Sequence, residues 1–360
     1  MVDWDLAAGT AGRLVRPGPR LTATEATGVV TALRGLSAEA LDHVVQHTGL
    51  TPDPALRTCT EVVDRPTWAR HNVAGMRAIL VPVIEVLAAK RSRPARGYLG
   101  GALGSAGRTV TGAELGAVLS LLASRVLGQY EVFLPTEHAL DGRLLLVAPN
   151  IVEVERRLAV DPRDFRMWVC LHEQTHHAQF TAAPWLRDHL HGMIRELVAA
   201  SNLDPGEMVS RLMAAARARR GAAGPNPVDE PGVPLAALQS PEQRAVVARL
   251  QAVMTLLEGH ADEVMDAVGP QVVPSVAAIR SKFEQRRRRG GSPLDRFLRK
   301  VLGLDAKLAQ YQVGGAFCRA VSAAGGPAAM RRAFAGPEFL PTSGELHEPQ
   351  AWLERTAAMP

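Results

Sequence analysis

His172, Glu173 and His176 stand in the order H-E-x-x-H inside Trp168 to Phe180, a stretch whose apolar residues recur at helical period. On an α-helix, residues four apart lie one above the other, so both imidazoles can address a single ion. Glu173 sits one position round from His172, placed to reach a water on that ion without ligating it. Two His ligands with a Glu as general base is the spacing used for zinc-dependent hydrolysis. Zinc is therefore the expected cofactor.

A hydrolytic zinc site needs a third protein ligand and one open position. The candidate is Glu258, which shares a helix face with Met254, Ala261, Asp262 and Met265. A carboxylate in such an apolar stripe is costly to bury unless a cation offsets it. His260 is the alternative ligand. Asp262, one turn beyond Glu258, could accept the free ring N–H of a ligating His and set its tautomer. His177 lies about 100° round from His176 and is expected behind the ligands or in packing. Amide hydrolysis also asks for a donor to the developing oxyanion. Of the three tyrosines, Tyr98, Tyr130 and Tyr311, the candidate is Tyr311, with Lys307 four residues earlier on the same helix face. Cys170 lies near the His pair but off their face and reads as inert packing.

The elements that must position these groups are legible in part. Asp161-Pro162 supplies an N-cap acid and a first-turn proline, so a helix is expected from there through both histidines to about Thr181, with Pro184 beyond it. Phe165, Trp168, Val169, His172, His176 and Phe180 keep one stripe, which places the imidazoles on a buried face. Ser240-Pro-Glu-Gln243 opens a long helix to about Val268, carrying Glu258. Upstream, Thr22 and Glu25 form a capping box for a helix ending near Gly35, and a second helix starts at Ser37. His43 and His47, four apart there, read as a solvated or capping face. Val62 to Pro66 reads as a turn, Thr67 to Lys90 and Thr111 to Leu127 as helices, and Arg91 to Gly107 as a loop. Gly97 to Gly104 in that loop lacks the Gly-Lys-Ser/Thr ending of a phosphate loop. Tyr130–Leu134 and Arg143–Ala148 are the strand-like runs and are expected to pair as a hairpin. Asn150, with Glu153, is expected to cap the helix that follows. Helices are expected over 184–202, 205–220 and 294–323, and loops at 221–234 and 286–293.

At this point the chain resembles a known group. His172-Glu-x-x-His176 with a downstream Glu258-x-x-x-Asp262 is similar to the gluzincin pattern of thermolysin-like metallopeptidases. That resemblance implies His172, His176 and Glu258 as zinc ligands, Glu173 as base and Asp262 behind them. Nearly the whole chain resembles a zincin-like hydrolase family associated with deazaflavin-coenzyme biosynthesis. The stretches that carry this are Val63 to Trp68 with Asn72, Arg125 to Tyr130, Val147 to Asn150, Trp168 to Phe180, Pro184 to Leu186, Glu258 to Ala261 and Lys307 to Tyr311. The family implies a zincin-like fold, mainly α with a small β-hairpin or sheet (α+β) beside the His-bearing helix, and no established substrate. One departure is that Glu258 follows His176 at a much greater distance than in thermolysin-like enzymes.

Composition narrows the partners. The chain has 360 residues, 47% hydrophobic and 21% charged, as in globular proteins, with aromatics at 4%. That length suits one zincin-like domain, which can be parted into a helical N-terminal lobe (1–110) and a metal-site region (111–360). Net charge is +5, and much of the positive charge sits in Arg286–Arg289, a run without aromatics that reads as a solvated loop. No nucleic acid is expected. No stretch reaches the roughly 18 uncharged residues of a membrane span. Cys59, Cys170 and Cys318 form no C-x-x-C pair and fit a reducing compartment, so the protein reads as cytoplasmic. The expected activity is zinc-dependent cleavage of a peptide or small amide, with Glu173 taking a proton from water and returning it to the leaving amine. The rival reading is a non-hydrolytic zinc protein acting as a partner in coenzyme biosynthesis.

Overall fold

The computed structural model describes residues 2–90, 98–133, 141–200, 240–288 and 304–359. The first two helices are α1 (Trp4–Leu14) and α2 (Ala23–Thr48). The capping box of Thr22 and Glu25 is formed as expected, but the helix it opens runs straight through Gly35. Gly costs a helix interior about 1 kcal/mol. Here Leu33, Leu36, Ala40 and Val44 carry one buried stripe across it, and that burial prevails. The two expected helices are one, ended by Gly49 at φ 67°.

Among the described residues three strands follow in the order β1-β3-β2: β1 (Thr58–Val63), β2 (Gly128–Glu131) and β3 (Gly142–Val147). The expected hairpin pairing is present, with Tyr130 opposite Leu144, although β2 stops short of Leu134 and β3 short of Ala148. Residues 134–140 lie outside the described set. β1 corrects the sequence reading, because Val62 and Val63 are strand rather than turn. β1 runs parallel to β3, and Asp141 anchors its start by accepting from the Arg57 amide and donating to the Arg57 carbonyl. β3 is buried along its length. One face of the sheet meets α1, α3 (Arg65–Lys90) and α4 (Tyr98–Ala123) through Val63, Leu145, Val147, Trp68 and Leu119; the other meets the main core. α4 also absorbs most of the glycine-rich stretch expected as a loop, while 91–97 lie outside the described residues.

Helix α5 (Ala148–Leu158) starts from Val147 with no side-chain cap. Asn150, expected as that cap, instead lies buried. Its amide donates to the carbonyls of Ala123 and Val126, and its oxygen accepts from Arg65 Nε. The Arg65 guanidinium pairs with Glu153 and donates to the carbonyls of Arg16 and Pro17, so the expected capping pair anchors three chain segments.

Among the described residues the remaining α-helices are α6 (Pro162–Ala182), α7 (Trp185–Ala199), α8 (Pro241–Val272), α9 (Val276–Arg288), α10 (Leu304–Arg331) and α11 (Pro349–Ala357). The Ser240/Gln243 capping box opens α8 as expected. The expectations over 205–220 and 221–234 fall outside the described residues. A second correction concerns the basic run, since α9 continues through Arg288 where a loop was expected. Ile279 and Phe283, one turn apart and packed in the main core, draw the helix forward into the charged residues. α10 breaks at Gly325 and Gly326. It packs tightly on α8 at Gly314 and Gly259, where a Cβ on either residue would meet the other helix's backbone. The mainly helical, α+β architecture with a small sheet is thus the one expected, with a third strand added.

Candidate metal centre

Asp161 caps α6 as its sequence implies, its carboxylate accepting from the Asp164 amide at 2.9 Å. The helix is more enclosed than its apolar stripe suggested. From Met167 to Thr181, buried residues surround it except at Trp168, His172, His176 and Phe180, each half-buried. Those four are spaced strictly by four and form the least covered edge of the helix, while Phe165 and Val169 of the expected stripe are buried. The histidines are therefore partly exposed rather than sealed in the core.

Glu258 comes to this edge from α8. Its Oε2 lies 3.5 Å from His172 Nε2 and 3.7 Å from His176 Nε2, and the two Nε2 atoms are 3.2 Å apart. Atoms ligating zinc at about 2.0–2.1 Å with tetrahedral angles stand about 3.3–3.4 Å from one another. Two imidazole nitrogens and one carboxylate oxygen at these separations fit the donor set and spacing that a zinc ion takes. Among the described residues this is the one cluster of His, Cys, Asp or Glu with metal-binding geometry. Behind it, His172 Nδ1 lies 3.3 Å from Met265 Sδ, and His176 Nδ1 lies 2.9 Å from Gln179 Oε1.

Glu173 is 6% exposed and lies against edge strand β2. A Cβ at Gly128 would stand 2.6 Å from its carboxyl carbon, so only glycine leaves room for the carboxyl there. The strand is held to α6 by Tyr130 as well, whose ring stacks on Phe180 at 5.8 Å and leans on His177 at 5.3 Å. Burial pushes the Glu173 carboxyl up to about 8, with Glu258 adding to the rise and His176 opposing it. For His176, burial disfavours the charge, but the hydrogen bond and charge of Glu258, aided by Glu173, win and hold it up to about 9.

A proton-release experiment follows. Below about pH 9 the metal-free His176 carries a proton that zinc must displace, so affinity weakens as pH falls and uptake at pH 7 releases protons. Zinc calorimetry at pH 7 in two buffers of different ionisation enthalpy is expected to give different apparent heats; equal heats would contradict it.

The other candidates are placed as follows. His260 is 2% exposed and turned to Gln179, its Nδ1 3.1 Å from the amide nitrogen, and burial holds its pKa down to about 4. His177 turns to β1 and α2: its Nε2 meets Thr58 Oγ1 at 3.1 Å and its Nδ1 meets Gln174 Oε1, while Gln174 donates to Ser37. Asp262 follows Glu258 by one turn, and its carbonyl accepts from Arg280. Tyr311 lies on α10, with its side chain outside the described residues. Cys170 is fully buried and its thiol is pushed up by that burial, as packing requires. Two contributors escaped the sequence reading. Gln179 stands three residues after His176, a helical neighbour that spacing alone could have flagged. Gly128 carries no local signal.

Comparisons with known proteins agree with this geometry. The sequence model of a family described as zincin-like metallopeptidase matches residues 2–353. A crystal structure of a protein from Chloroflexus aurantiacus, described as a candidate hydrolase with a novel fold, superposes with a TM-score of 0.69 at 28% identity over 100% of both chains. A search of curated proteins found no match. Among the described residues no helix is long and apolar enough to cross a membrane.

Proposed function

We propose that this chain, which belongs to the zincin-like metallopeptidase family, is a zinc-dependent hydrolase that cleaves a peptide or other amide bond. The observation that carries the reading is the convergence of His172, His176 and Glu258 at a partly exposed helix edge, with the Glu173 carboxyl near enough to feel the charges of His176 and Glu258. These three would hold the zinc. When bound, zinc would polarise the scissile carbonyl and lower the pKa of a water towards about 7.

The chain's own residues supply the rest. Glu173 accepts the proton of the attacking water and returns it to the leaving nitrogen. Its pocket against Gly128 excludes solvent and keeps its affinity for that proton high. β2 has β3 on one side, and no strand lies on the other among the described residues. An extended substrate could pair with that edge, its carbonyl then lying beside Glu173. Tyr311 is the proposed donor to the oxyanion, on a helix brought against α8 by the Gly259–Gly314 crossing. The rival reading, a non-hydrolytic partner in deazaflavin-coenzyme biosynthesis, rests on the sequence resemblance alone. What favours hydrolysis over it is a buried carboxyl held against Gly128 that stands next to His172 in the chain without ligating, a group a structural zinc does not require.

Metal analysis of the purified chain is expected to show about one zinc per molecule. Chelation should abolish cleavage of a mixed peptide pool, and restored zinc should recover it. A folded chain that takes up no zinc would sink the proposal.

A further inference from the structure

We propose that Gln179 is a positioning residue that presets His176 to bind through Nε2 by tying it to the helix that carries Glu258. This rests on the reading of His176 as a zinc ligand. Gln179 is fully buried, so its amide must satisfy its hydrogen bonds within the protein. One end lies 2.9 Å from the Leu257 carbonyl, which can only accept, so that end is the NH2 group. The other end is then the oxygen, 2.9 Å from His176 Nδ1, and it can only accept from Nδ1–H. A neutral ring with its proton on Nδ1 keeps its lone pair on Nε2. That is the atom facing His172 Nε2 and Glu258 Oε2.

The second amide hydrogen completes the arrangement by reaching His260 Nδ1 at 3.1 Å. His260 thus acts as the acceptor that, with Leu257, prevents the amide from turning over. Leu257 immediately precedes Glu258, so one turn of α8 presents a carboxylate directly and, through Gln179, sets the tautomer of a ligand on α6. Both walls of the site are therefore held in one register. A carboxylate at 179 would still accept from Nδ1–H but would oppose the Leu257 carbonyl without a donor. A thioether would do neither.

The test compares the parent chain with Gln179→Met and Gln179→Glu by zinc titration against a competing chelator and by nitrogen NMR of the His176 ring. In the zinc-loaded parent, Nδ1 is expected to carry the proton and Nε2 the metal. Gln179→Met should bind zinc about 10–100-fold more weakly than the parent. Gln179→Glu, which keeps an acceptor, should retain the Nδ1–H tautomer and bind more tightly than Gln179→Met. Zinc on Nδ1 in the parent, or parent-like affinity in Gln179→Met, would overturn the proposal. If Gln179→Met does not fold, the parent's ring spectrum and Gln179→Glu decide. A parent that binds no zinc would instead overturn the functional reading beneath it.

Discussion

Glu173→Gln is expected to take up zinc like the parent and to hydrolyse amide substrates about 10²–10⁴-fold more slowly, the usual contribution of a general base. The substitution preserves shape in a pocket where a Cβ at Gly128 would already stand 2.6 Å from the carboxyl, so the zinc ligands are not disturbed. What it removes is an oxygen that can hold a proton between water and leaving amine. Zinc content separates loss of a base from loss of the site, and parent-like turnover with full zinc would show that another group moves the proton. The metal-free variant also has a stability signature. The folded chain holds the Glu173 proton more tightly than the unfolded chain, its pKa rising from 4.5 to about 8. This group therefore lowers stability progressively as pH rises from about 4.5, and the loss is complete above about 8. Gln has no such dependence, so at pH 8 metal-free Glu173→Gln is expected to melt no lower than the metal-free parent.

Gly259→Ala is expected to destabilise the fold by at least the upper end of the about 1–3 kcal/mol typical of overpacking. The new Cβ would meet the Gly314 backbone, which has no rotamer through which to withdraw. On the other side, space at Gly314 is closed by the Thr255 carbonyl, so the helices can only move apart. Glu258 is the adjacent residue, and zinc affinity should fall together with melting temperature. Gly192 on α7 provides the control: nothing lies within 4 Å of the site of its missing Cβ, and Gly192→Ala should be neutral or stabilising by up to about 1 kcal/mol. A Gly259→Ala chain that melts with the parent would mean that α8 and α10 do not cross this closely.

What the sequence by itself determined is what a few neighbouring residues can encode. Asp161 and Pro162 start α6, the four-residue interval aligns His172 with His176, and Ser240 with Gln243 starts α8. Even Glu258 was legible from afar, because an acid in an apolar helical stripe demands a partner. The same local logic misled where distant packing outweighed it. Gly35 did not end α2, since burial on both sides exceeds the cost of one glycine. Asn150 did not cap α5, since Arg65 and two carbonyls of another segment claimed its amide. β1 gave no strand signal, because its half-exposed residues acquire strand geometry only by pairing with β3 more than eighty positions later.

Tertiary structure alone decided which edge of α6 is least covered, that Gly128 bears on Glu173, and that Gln179 links His176 to Leu257. These contacts join residues tens of positions apart. Their existence depends on how whole helices and strands pack, while a cap or an i, i+4 pair is complete within one or two turns of chain.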